Sequence, residues 1–408
     1  MSARTPAEIG ARVRAIRRHR AMSVDVAAGL AGISRSYLMM LERGDRHFNR
    51  RGLVENVAAA LGCSPADLTG QPYDPVDKPS AEAIATIPQV ELALHDATLD
   101  DVPDLPARPI WDLVADARLA NEYRDAARYD LAGRGLGQLL TELQVTAVTT
   151  NGGTRQAALA ALVEACMVAH DVAGTFGHAA LAVQAAERGQ DAAQRLGDPA
   201  VIGFADWHWA LALVRVGARR RAGTGFTRVI NALVNVDPTT VTAAREAYGF
   251  AQLGSALIAA RSGRADTAHE HLEEASRIAS HTGDLNSLLM HFGPTNVAVW
   301  RLAIGVELQE AGKAYERATT ANIDTALLGS ADRISALHFD LARALAQEGG
   351  PRDIDAIRHL DIADQTSPQR MRHDPIAREV VRELDIRARK KLWMLDSLRH
   401  RFGLAPTH

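Results

Sequence analysis

Residues 23–44 of this chain read SVDVAAGLAGISRSYLMMLERG, and their pattern predicts two short helices joined by a glycine turn. Ser23 has a side-chain oxygen that can cap the first helix, and Gly32 would end it because glycine tolerates the left-handed backbone of a C-cap. Ser34 can cap the second helix in the same way, and Gly44 marks its end. Two short helices joined by a tight turn form the helix-turn-helix unit, which this stretch therefore predicts.

Three further helices are predicted around this unit. Upstream, Thr5–Glu8 reads as a helix start with a capping residue, a proline in the first turn and a glutamate that closes a capping box. Downstream, apolar spacing over Gly52–Leu61 predicts a fourth helix, and Ser64 with the proline after it opens a fifth helix through Leu68. The sequence therefore predicts a domain of five helices over residues 1–70.

These first seventy residues resemble the Cro/CI-type (XRE) helix-turn-helix family, whose fold is lambda-repressor-like. The resemblance covers about residues 8–70. It is carried by Ala27, Ala28, Ala31, Gly32, Ile33, Ser34, Arg35, Ser36, Tyr37, Leu38, Leu41, Glu42, Arg43, Gly44, Ala58, Leu61, Gly62, Pro65 and Leu68. It implies that the helix beginning near Ser34 lies in the major groove of double-stranded DNA and reads base edges.

One position departs from the family pattern. The family usually has a glutamine as the first residue of the second helix, where it contacts the DNA backbone or a base. Here that position is Val24, which cannot make the hydrogen bond. We therefore expect the operator contacts at this position to be reduced or rearranged.

The resemblance implies DNA contacts by position. Near the start of the recognition helix, Arg35, Ser36 and Met39 would face the bases, with arginine suited to guanine and methionine to a thymine methyl. The phosphate contacts that position the domain would come from Arg43, Arg46, Arg50 and Arg51. For each arginine the structural alternative is a solvated surface charge.

The charge distribution agrees with a DNA-binding head. Residues 1–70 hold 11 arginines against 6 acidic residues, a balance of +5, whereas the rest of the chain carries −8. A basic head on an acidic body indicates that the head is the part that meets a polyanion.

Several features predict a cytoplasmic, nucleoid-associated protein. Cys63 and Cys166 stand in apolar surroundings and are expected to be buried thiols in a reducing compartment. The N-terminus has no apolar secretory segment, and no apolar run of about 18–20 residues predicts a membrane span.

Residues 71–109 hold seven prolines, which lack the backbone donor and fix φ. This stretch is predicted to be a semi-rigid interdomain linker, interrupted by a short helix around Val90–Ala97.

The remainder, residues 110–408, predicts a tetratricopeptide-like α-solenoid. In Gly263–Asp284, a small residue and two groove-filling residues repeat at offsets of four and three, which is typical of the second helix of such a pair. The triplets with this spacing are Leu136-Leu140-Leu143, Ala182-Ala186-Gly189, Ala222-Phe226-Val229, Ala268-Leu272-Ala275, Ala314-Ala318-Ala321 and Ala356-Leu360-Ala363. Their first members lie 40–46 residues apart, so the units are longer than the standard repeat of about 34 residues.

Asp374-Pro375 starts a last apolar pattern that continues to Leu398. It predicts one long helix that either caps the solenoid or pairs with a second protomer.

The layout resembles regulators in which an XRE head is fused to tetratricopeptide-like repeats, such as the peptide-sensing quorum regulators of Gram-positive bacteria. The body also resembles a group of actinobacterial regulators. That resemblance is carried by the segment HFGPTNV at 291–297 and by Arg370, His373, Asp374 and Pro375.

Peptide receptors of this layout hold the peptide backbone with asparagine amides, which donate and accept at once. The resemblance therefore implies ligand contacts on the concave surface, although the sequence does not say which helix face is concave. The candidates are the amides of Asn231, Asn235 and Asn296, the apolar anchors Trp207, Trp209 and Trp300, and the charge of Arg301. The alternative for each of them is packing in the core or at its rim.

The sequence holds no pattern that predicts an enzyme. His269-Glu270-His271 lacks the spacing of a zinc-protease helix, and Gly133–Gly137 and Gly223–Gly225 lack the strand or the lysine that a nucleotide site needs. We expect no catalytic activity, no cofactor and no metal.

The sequence thus favours a DNA-binding transcription regulator, with a repeat domain that senses a peptide or small molecule. A homodimer on a palindromic operator is expected, because two heads on a twofold axis match such a site. One alternative is an interaction scaffold that its DNA-binding head localises, and another is an enzyme with a hidden site on the concave face.

Overall fold

The computed structural model describes residues 9–235, 242–321, 323–388, 390 and 392–405. Within these residues the regular structure is helical, apart from one isolated β-bridge between Leu285 and Phe292. The prediction of an all-α fold is confirmed. The predicted helix start at Thr5–Glu8 lies outside the described residues.

The N-terminal head, residues 9–70, has the five predicted helices. They are α1 (Ile9–His19), α2 (Val24–Ala31), α3 (Arg35–Arg43), α4 (Arg51–Leu61) and α5 (Pro65–Thr69). Ser23, Ser34 and Ser64 each accept a hydrogen bond from the backbone amide three residues later, at 3.1–3.2 Å, as their capping role predicts. Gly32 and Gly44 end α2 and α3 with φ of 69° and 83°. The axes of α2 and α3 differ by 104°, within the range of a helix-turn-helix unit.

A buried ion pair fixes α1 against α3. The guanidinium of Arg17 donates two hydrogen bonds to the carboxylate of Glu42, at 2.6 and 2.8 Å, and a third to the carbonyl of Met22 at 2.9 Å. A bidentate pair of this kind has a fixed geometry. The orientation of α3 on the head is therefore set from inside the domain.

Residues 71–109 do not form the predicted linker. They contain α6 (Lys78–Ile84) and α7 (Ile87–Asp96), whose apolar side chains belong to the core of the body. Pro79 and Pro88 stand in the first turns of these helices, where a missing amide breaks no hydrogen bond. The prediction was wrong because two of the prolines begin helices instead of preventing them.

The body, residues 71–405, consists of helix pairs followed by short C-terminal helices. After α6 and α7 come α8 (Ile110–Asp125), α9 (Tyr129–Ala132), α10 (Leu136–Thr149), α11 (Gly152–Thr175), α12 (Ala179–Leu196), α13 (Pro199–Arg215), α14 (Arg219–Leu233), α15 (Thr242–Arg261), α16 (Ala265–Thr282), α17 (Pro294–Glu307), α18 (Ala311–Thr320), α19 (Ala331–Glu348), α20 (Asp353–Thr366), α21 (Pro368–His373), α22 (Pro375–Arg387) and α23 (Trp393–Arg401). Short 3₁₀ helices at Thr325–Leu328 and Gly350–Arg352 precede α19 and α20.

The six predicted triplets fall on alternate helices, from α10 to α20. Their members are buried in five of the six helices. The exception is α18, where Ala318 is half-buried and Ala321 follows the end of the helix and is exposed. The repeat pattern thus identified the second helix of each pair, and the first helices form the other layer.

The body closes on itself, because α8 and α9 near its start meet α19 and α21 near its end. The amide of Tyr129 donates to Gln369 Oε1 at 2.7 Å, and its hydroxyl donates to Asp332 Oδ1 at 2.9 Å. Ser330 Oγ donates to the carbonyl of Asp125 at 3.2 Å. Each bond joins residues more than 200 positions apart, so the stack of helix pairs is a closed ring and not an open concave sheet of helices.

The C-terminal segment begins where the sequence predicts but does not continue as one helix. Asp374 caps α22 by accepting from two backbone amides at 2.8 and 3.0 Å. After α22 ends at Arg387, α23 folds back onto α22 and α20. Apolar side chains of both helices join a core with α19, α20 and the head. The segment therefore packs against the last helix pair of the body and against the head, as a capping segment would.

Helix α11 is long and apolar enough to cross a membrane, but 78% of its apolar window is buried inside the body. A central helix of a folded domain has the same length and composition, and α11 is such a helix here. Helices α2 and α3 of the head, taken together, also meet this test of length and composition, although the bend of 104° separates them.

Glycine at position 254 is predicted to be essential for the contact of α14 with α15. A Cβ on Gly254 would lie 2.4 Å from the ring of Phe226, which is fully buried and has no room to move. Gly254→Ala should therefore lower the free energy of unfolding by about 1–3 kcal/mol, despite the better helix propensity of alanine. Urea denaturation followed by circular dichroism measures this change in the free energy of unfolding.

Gly223→Ala on α14 is the matched control, because a Cβ there meets nothing closer than 3.9 Å. It should leave the stability unchanged or raise it. Equal effects of the two substitutions would contradict the predicted close contact.

Candidate functional site

The exposed face of α3 carries the predicted base contacts. Arg35 and Ser36, in its first turn, are exposed, and Met39 one turn later is half-buried. Arg35 Nε lies 3.5 Å from Asp25 Oδ1, and both side chains are more than 60% exposed. An ion pair this exposed contributes little, so Arg35 can exchange its partner for a base edge at small cost.

The four predicted phosphate contacts fall into two groups. Arg43 and Arg46 are exposed at and beyond the end of α3, as expected. Arg50 and Arg51 instead face the body: Arg50 donates to the carbonyl of Glu307 at 3.3 Å, and Arg51 pairs with Asp374. The prediction for these two residues is therefore corrected, because their guanidinium groups hold the head on the body in this structure.

A carboxylate of the body caps α4 of the head. Arg50, at the N-cap position of α4, makes no side-chain cap. The carboxylate of Glu307 on α17 accepts from the backbone amides of Arg51 and Gly52, at 3.2 and 3.1 Å. The positive end of the helix dipole and two free amides therefore meet a buried anion.

Glu307 remains charged although it is buried. Burial alone would raise the pKa of its carboxyl, but the positive charges of Arg343 and Arg261 and the hydrogen bonds to it lower the pKa to about 2. Arg343 donates to Glu307 Oε1 and Asp340 Oδ1 at 2.7 Å each, and to the carbonyl of Asn49 in the head at 3.1–3.2 Å. One arginine thus joins two acidic residues of the body to the loop that precedes α4.

Further contacts, most of them polar, hold α4 and the loop before it. Glu55 lies 2.7 Å from Arg261 and 3.1 Å from Arg219, which are residues of α15 and α14. Gly52 approaches the backbone of Arg261 so closely that a Cβ would meet it at 3.2 Å. His47, before α4, lies 3.4 Å from Glu379 of α22. Charged contacts around α4 therefore add to the apolar core that the head shares with the last helices of the body.

A cavity of about 320 Å³ lies where the ring meets the head. Its walls come from the first helix of each pair, from the loop before α17 and from α4 and α5 of the head. This answers a question that the sequence left open, because it identifies the helices that face inward: α8, α11, α13, α15, α17 and α19.

Three aromatic side chains form the apolar part of the cavity wall. The ring of Trp207 lies 5.2 Å from that of Phe250 and 6.4 Å from that of Trp300, measured between centroids. Trp207 Nε1 donates to the carbonyl of Phe250 at 2.7 Å. Trp300 Nε1 is buried and has no acceptor among the described residues.

The charged part of the wall holds seven arginines and seven carboxylates among the described residues. They are Arg51, Arg124, Arg215, Arg261, Arg333, Arg343 and Arg370, and Glu55, Asp125, Asp171, Glu307, Asp332, Asp340 and Asp374. Most are paired: Arg124 lies 3.0 Å from Asp125 and 3.1 Å from Asp171, and Arg370 pairs with Asp332.

The predicted ligand residues are only partly at the cavity. Trp207 and Trp300 line it. Asn231 and Asn235 lie on the exposed surface of α14 and just beyond its end, on the outer layer of the ring. They do not line the cavity, because α14 is the second helix of its pair.

The other three candidates have structural partners. Arg301 is bonded to Glu273 and Ser276, and Asn296 donates to two carbonyls of the loop before α17, at 2.9 and 3.2 Å. Trp209 is buried under two arginines, away from the cavity. The expectation of ligand contacts from these residues is corrected accordingly.

Sequence reasoning missed the arginines of the cavity wall. One signal was present: Trp207, Leu211 and Arg215 repeat every four residues on α13, which places them along one face of the helix. The pairing of Arg343 with Glu307 has no such local signal, because the residues lie on different helices.

The environment of His208 opposes its protonation. The imidazole is buried beside Phe204 and Trp207, with ring centroids at 4.4 and 5.0 Å. Burial, together with the neighbouring His170, lowers the pKa of His208 to about 3. The side chain is therefore neutral in the folded protein at physiological pH.

The described residues contain no cluster of three His, Cys, Asp or Glu side chains that could hold a metal ion. Cys63 is half-buried and Cys166 is buried, and both are free thiols. Burial raises the pKa of Cys166 to about 12, which keeps this thiol protonated and unreactive.

A family described as helix-turn-helix domain matches residues 8–69 of this chain, the region that forms α1–α5. No curated protein matches the chain. The match supports the predicted N-terminal DNA-binding domain and its role in transcription regulation.

Removal of the charge at Glu307 is predicted to loosen the head. Glu307→Gln keeps the shape of the side chain but removes one of the two carboxylates that pair with Arg343 and weakens the cap of α4. Hydrogen–deuterium exchange at the amides of Arg51–Val54 should become faster by about tenfold, which corresponds to a loss of about 1.4 kcal/mol in the free energy of local opening.

The control is Glu348→Gln, which removes an ion pair with Arg352 at the surface of the body. It should leave exchange in α4 unchanged. Unchanged exchange in Glu307→Gln as well would mean that this carboxylate does not hold the head.

His208 is predicted to make the protein less stable in mild acid. Between about pH 6.5 and 3 the unfolded chain binds a proton at this residue that the folded chain excludes, so stability falls as the pH falls. From pH 7 to pH 5, this difference in proton binding lowers the free energy of unfolding by about 2 kcal/mol.

The variant His208→Gln should therefore lose less stability over this range than the wild type, as measured by urea denaturation at the two pH values. His281→Gln, at an exposed position of α16, should keep the wild-type difference. A His208→Gln variant with the full wild-type difference would contradict the assignment.

Proposed function

We propose that this protein is a sequence-specific transcription regulator that reads DNA with α3 and senses a ligand through its body. The observation that carries the proposal is the exposed N-terminal turn of α3, with Arg35 and Ser36 at the surface of a helix-turn-helix domain. In such domains this turn enters the major groove.

The side chains of α3 divide by their chemistry. Arg35 can donate two hydrogen bonds to a guanine, Ser36 can bond to either base type, and Met39 can pack on a thymine methyl. Arg43 and Arg46 are exposed beyond them and suit phosphate contacts, which set position without reading sequence.

The way the head sits on the body supports a role for the body in regulation. The body contacts α4 and leaves the DNA-reading face of α3 exposed, so the head can bind DNA while it is docked. In a homodimer, docking would fix the distance between the two heads, and such a dimer would prefer a palindromic operator of one spacing. The soluble cytoplasm is the compartment that this role requires.

The test is selection of bound DNA from a random library, followed by affinity measurements on the selected site. The wild type should recover an inverted repeat. Arg35→Ala should weaken binding by about 1–3 kcal/mol and relax the preference at one base position of each half-site. Arg46→Ala should weaken binding to all sequences. It should also reduce the slope of the logarithm of affinity against the logarithm of salt concentration by about one.

The matched control is Arg155→Ala, which removes an exposed arginine of α11 from the body and should change neither affinity nor specificity. Recovery of no preferred sequence, with only weak salt-sensitive binding, would contradict sequence-specific regulation. That outcome would favour an interaction scaffold that the head attaches to DNA.

A further inference from the structure

We infer that the central cavity binds a small organic anion that carries a ring, with the anionic group at Arg215 and the ring against Trp207 and Trp300. The binding part of this inference stands on the cavity alone. Its regulatory part rests on the proposed function, because it needs a head that binds DNA.

Arg215 is the arginine of the cavity wall that lacks a partner. It forms no hydrogen bond or ion pair with any residue that the structure describes, and its side chain is exposed to the cavity. The surrounding protein nevertheless lowers the pKa of its guanidinium by desolvation, against the opposing charge of Asp171. A guanidinium that faces the cavity without a partner would gain charge-assisted hydrogen bonds when an anion binds there.

A second arginine of the cavity wall has only a shared partner. Arg333 lies 3.6 Å from Asp332, but that carboxylate is already paired with Arg370 and accepts from Tyr129. Two guanidinium groups therefore share one carboxylate. The positive charge of Arg370 repels those of both Arg215 and Arg333, which indicates that the three cations lie in one part of the cavity.

The size and shape of the ligand follow from α13. Trp207, Leu211 and Arg215 are four residues apart along one helix face, so the aromatic and cationic ends of this face are about 12 Å apart. A cavity of about 320 Å³ is at the lower end of the range for small-molecule sites.

The wall is less suited to a peptide. A peptide backbone needs groups that donate and accept at once, and Gln71 is the one amide side chain in the lining among the described residues. The cavity also offers guanidinium groups, and these suit a carboxylate, sulfonate or phosphate on a ring.

The head forms part of the same cavity, which links ligand binding to docking. Arg51, Val54 and Glu55 of α4 and Pro65 and Ala66 of α5 line the cavity opposite the body. A ligand that contacts these residues binds the docked state better than an undocked one, so it must shift the head toward the docked state.

The test uses two fluorescent probes that differ in charge. One is 8-anilinonaphthalene-1-sulfonate, and the other is N-phenyl-1-naphthylamine, which has the same rings without the sulfonate. The wild type should bind one equivalent of the sulfonate per chain, at least about tenfold more tightly than the neutral probe. Arg215→Gln should lose this preference but still bind the neutral probe, which shows that the cavity remains intact.

Arg155→Gln is the matched control, because it removes an exposed arginine far from the cavity wall and should keep the preference. The thermal midpoint of Arg215→Gln should equal or exceed that of the wild type, since the substitution removes an unpaired cation. A structural role for Arg215 would lower the midpoint. A wild type without preference for the sulfonate, or an unchanged preference in Arg215→Gln, would overturn the inference.

The regulatory part has its own readout. The sulfonate probe should slow hydrogen–deuterium exchange at the N-terminus of α4 in the wild type but not in Arg215→Gln. Binding without any effect on α4 would overturn the link to docking and leave the anion site in place. Neither experiment contains DNA, so a failure of the proposed DNA-binding function would be seen separately, in the selection experiment.

Discussion

The hydrogen bonds from the first amides of α4 to the carboxylate of Glu307 decide how head and body are joined. Because Arg50 at the N-cap offers no acceptor, α4 is fully capped only when the head lies on the body. A helix that is completed by another domain has different stability in the docked and undocked states. The same carboxylate is held by Arg343, which also bonds to the loop before α4. The cap of α4 and the arrangement of Glu307 and Arg343 in the inner layer of the ring therefore depend on each other.

The charged contacts of this interface fix the orientation of the head more than they add to its stability. A buried ion pair loses much of its Coulomb attraction to desolvation, and apolar side chains of the same volume can be equally stabilising. Apolar surfaces, however, can slide across each other, whereas the contacts of Glu307 and of Glu55 with Arg261 require one register of α4 against α15 and α17. For a regulator that presents a recognition helix in a defined direction, the register is the property that matters.

Local signals in the sequence predicted local structure well. Ser23, Ser34 and Ser64 cap helices because each partner amide lies three residues away, and the triplets on the second helices reflect contacts within one repeat. The cap of α4 could not be predicted, because its acceptor is 255 residues distant.

The errors have the same origin in long-range contacts. Pro79 has one effect inside a helix and the opposite effect in its first turn, and burial of the following residues against the body decides which applies. Arg51 looks like a phosphate contact until Asp374 is brought beside it. Asn231 could be assigned to an inner or outer face only after the closure of the ring had defined the inner layer.

Closure of the ring also determines how a ligand could act on DNA. The head is docked with its α3 face exposed, and no residue of α3 lines the cavity, so a ligand there and DNA on α3 contact different residues of the head. Any coupling between them must then pass through the position of the head, since linkage requires that both bind one docking state better than the other. On an isolated half-site, a head binds equally well in any orientation that leaves α3 exposed. Two half-sites at a fixed spacing select one orientation, so coupling between ligand and DNA would arise in the dimeric complex on two half-sites and would vanish on a single one.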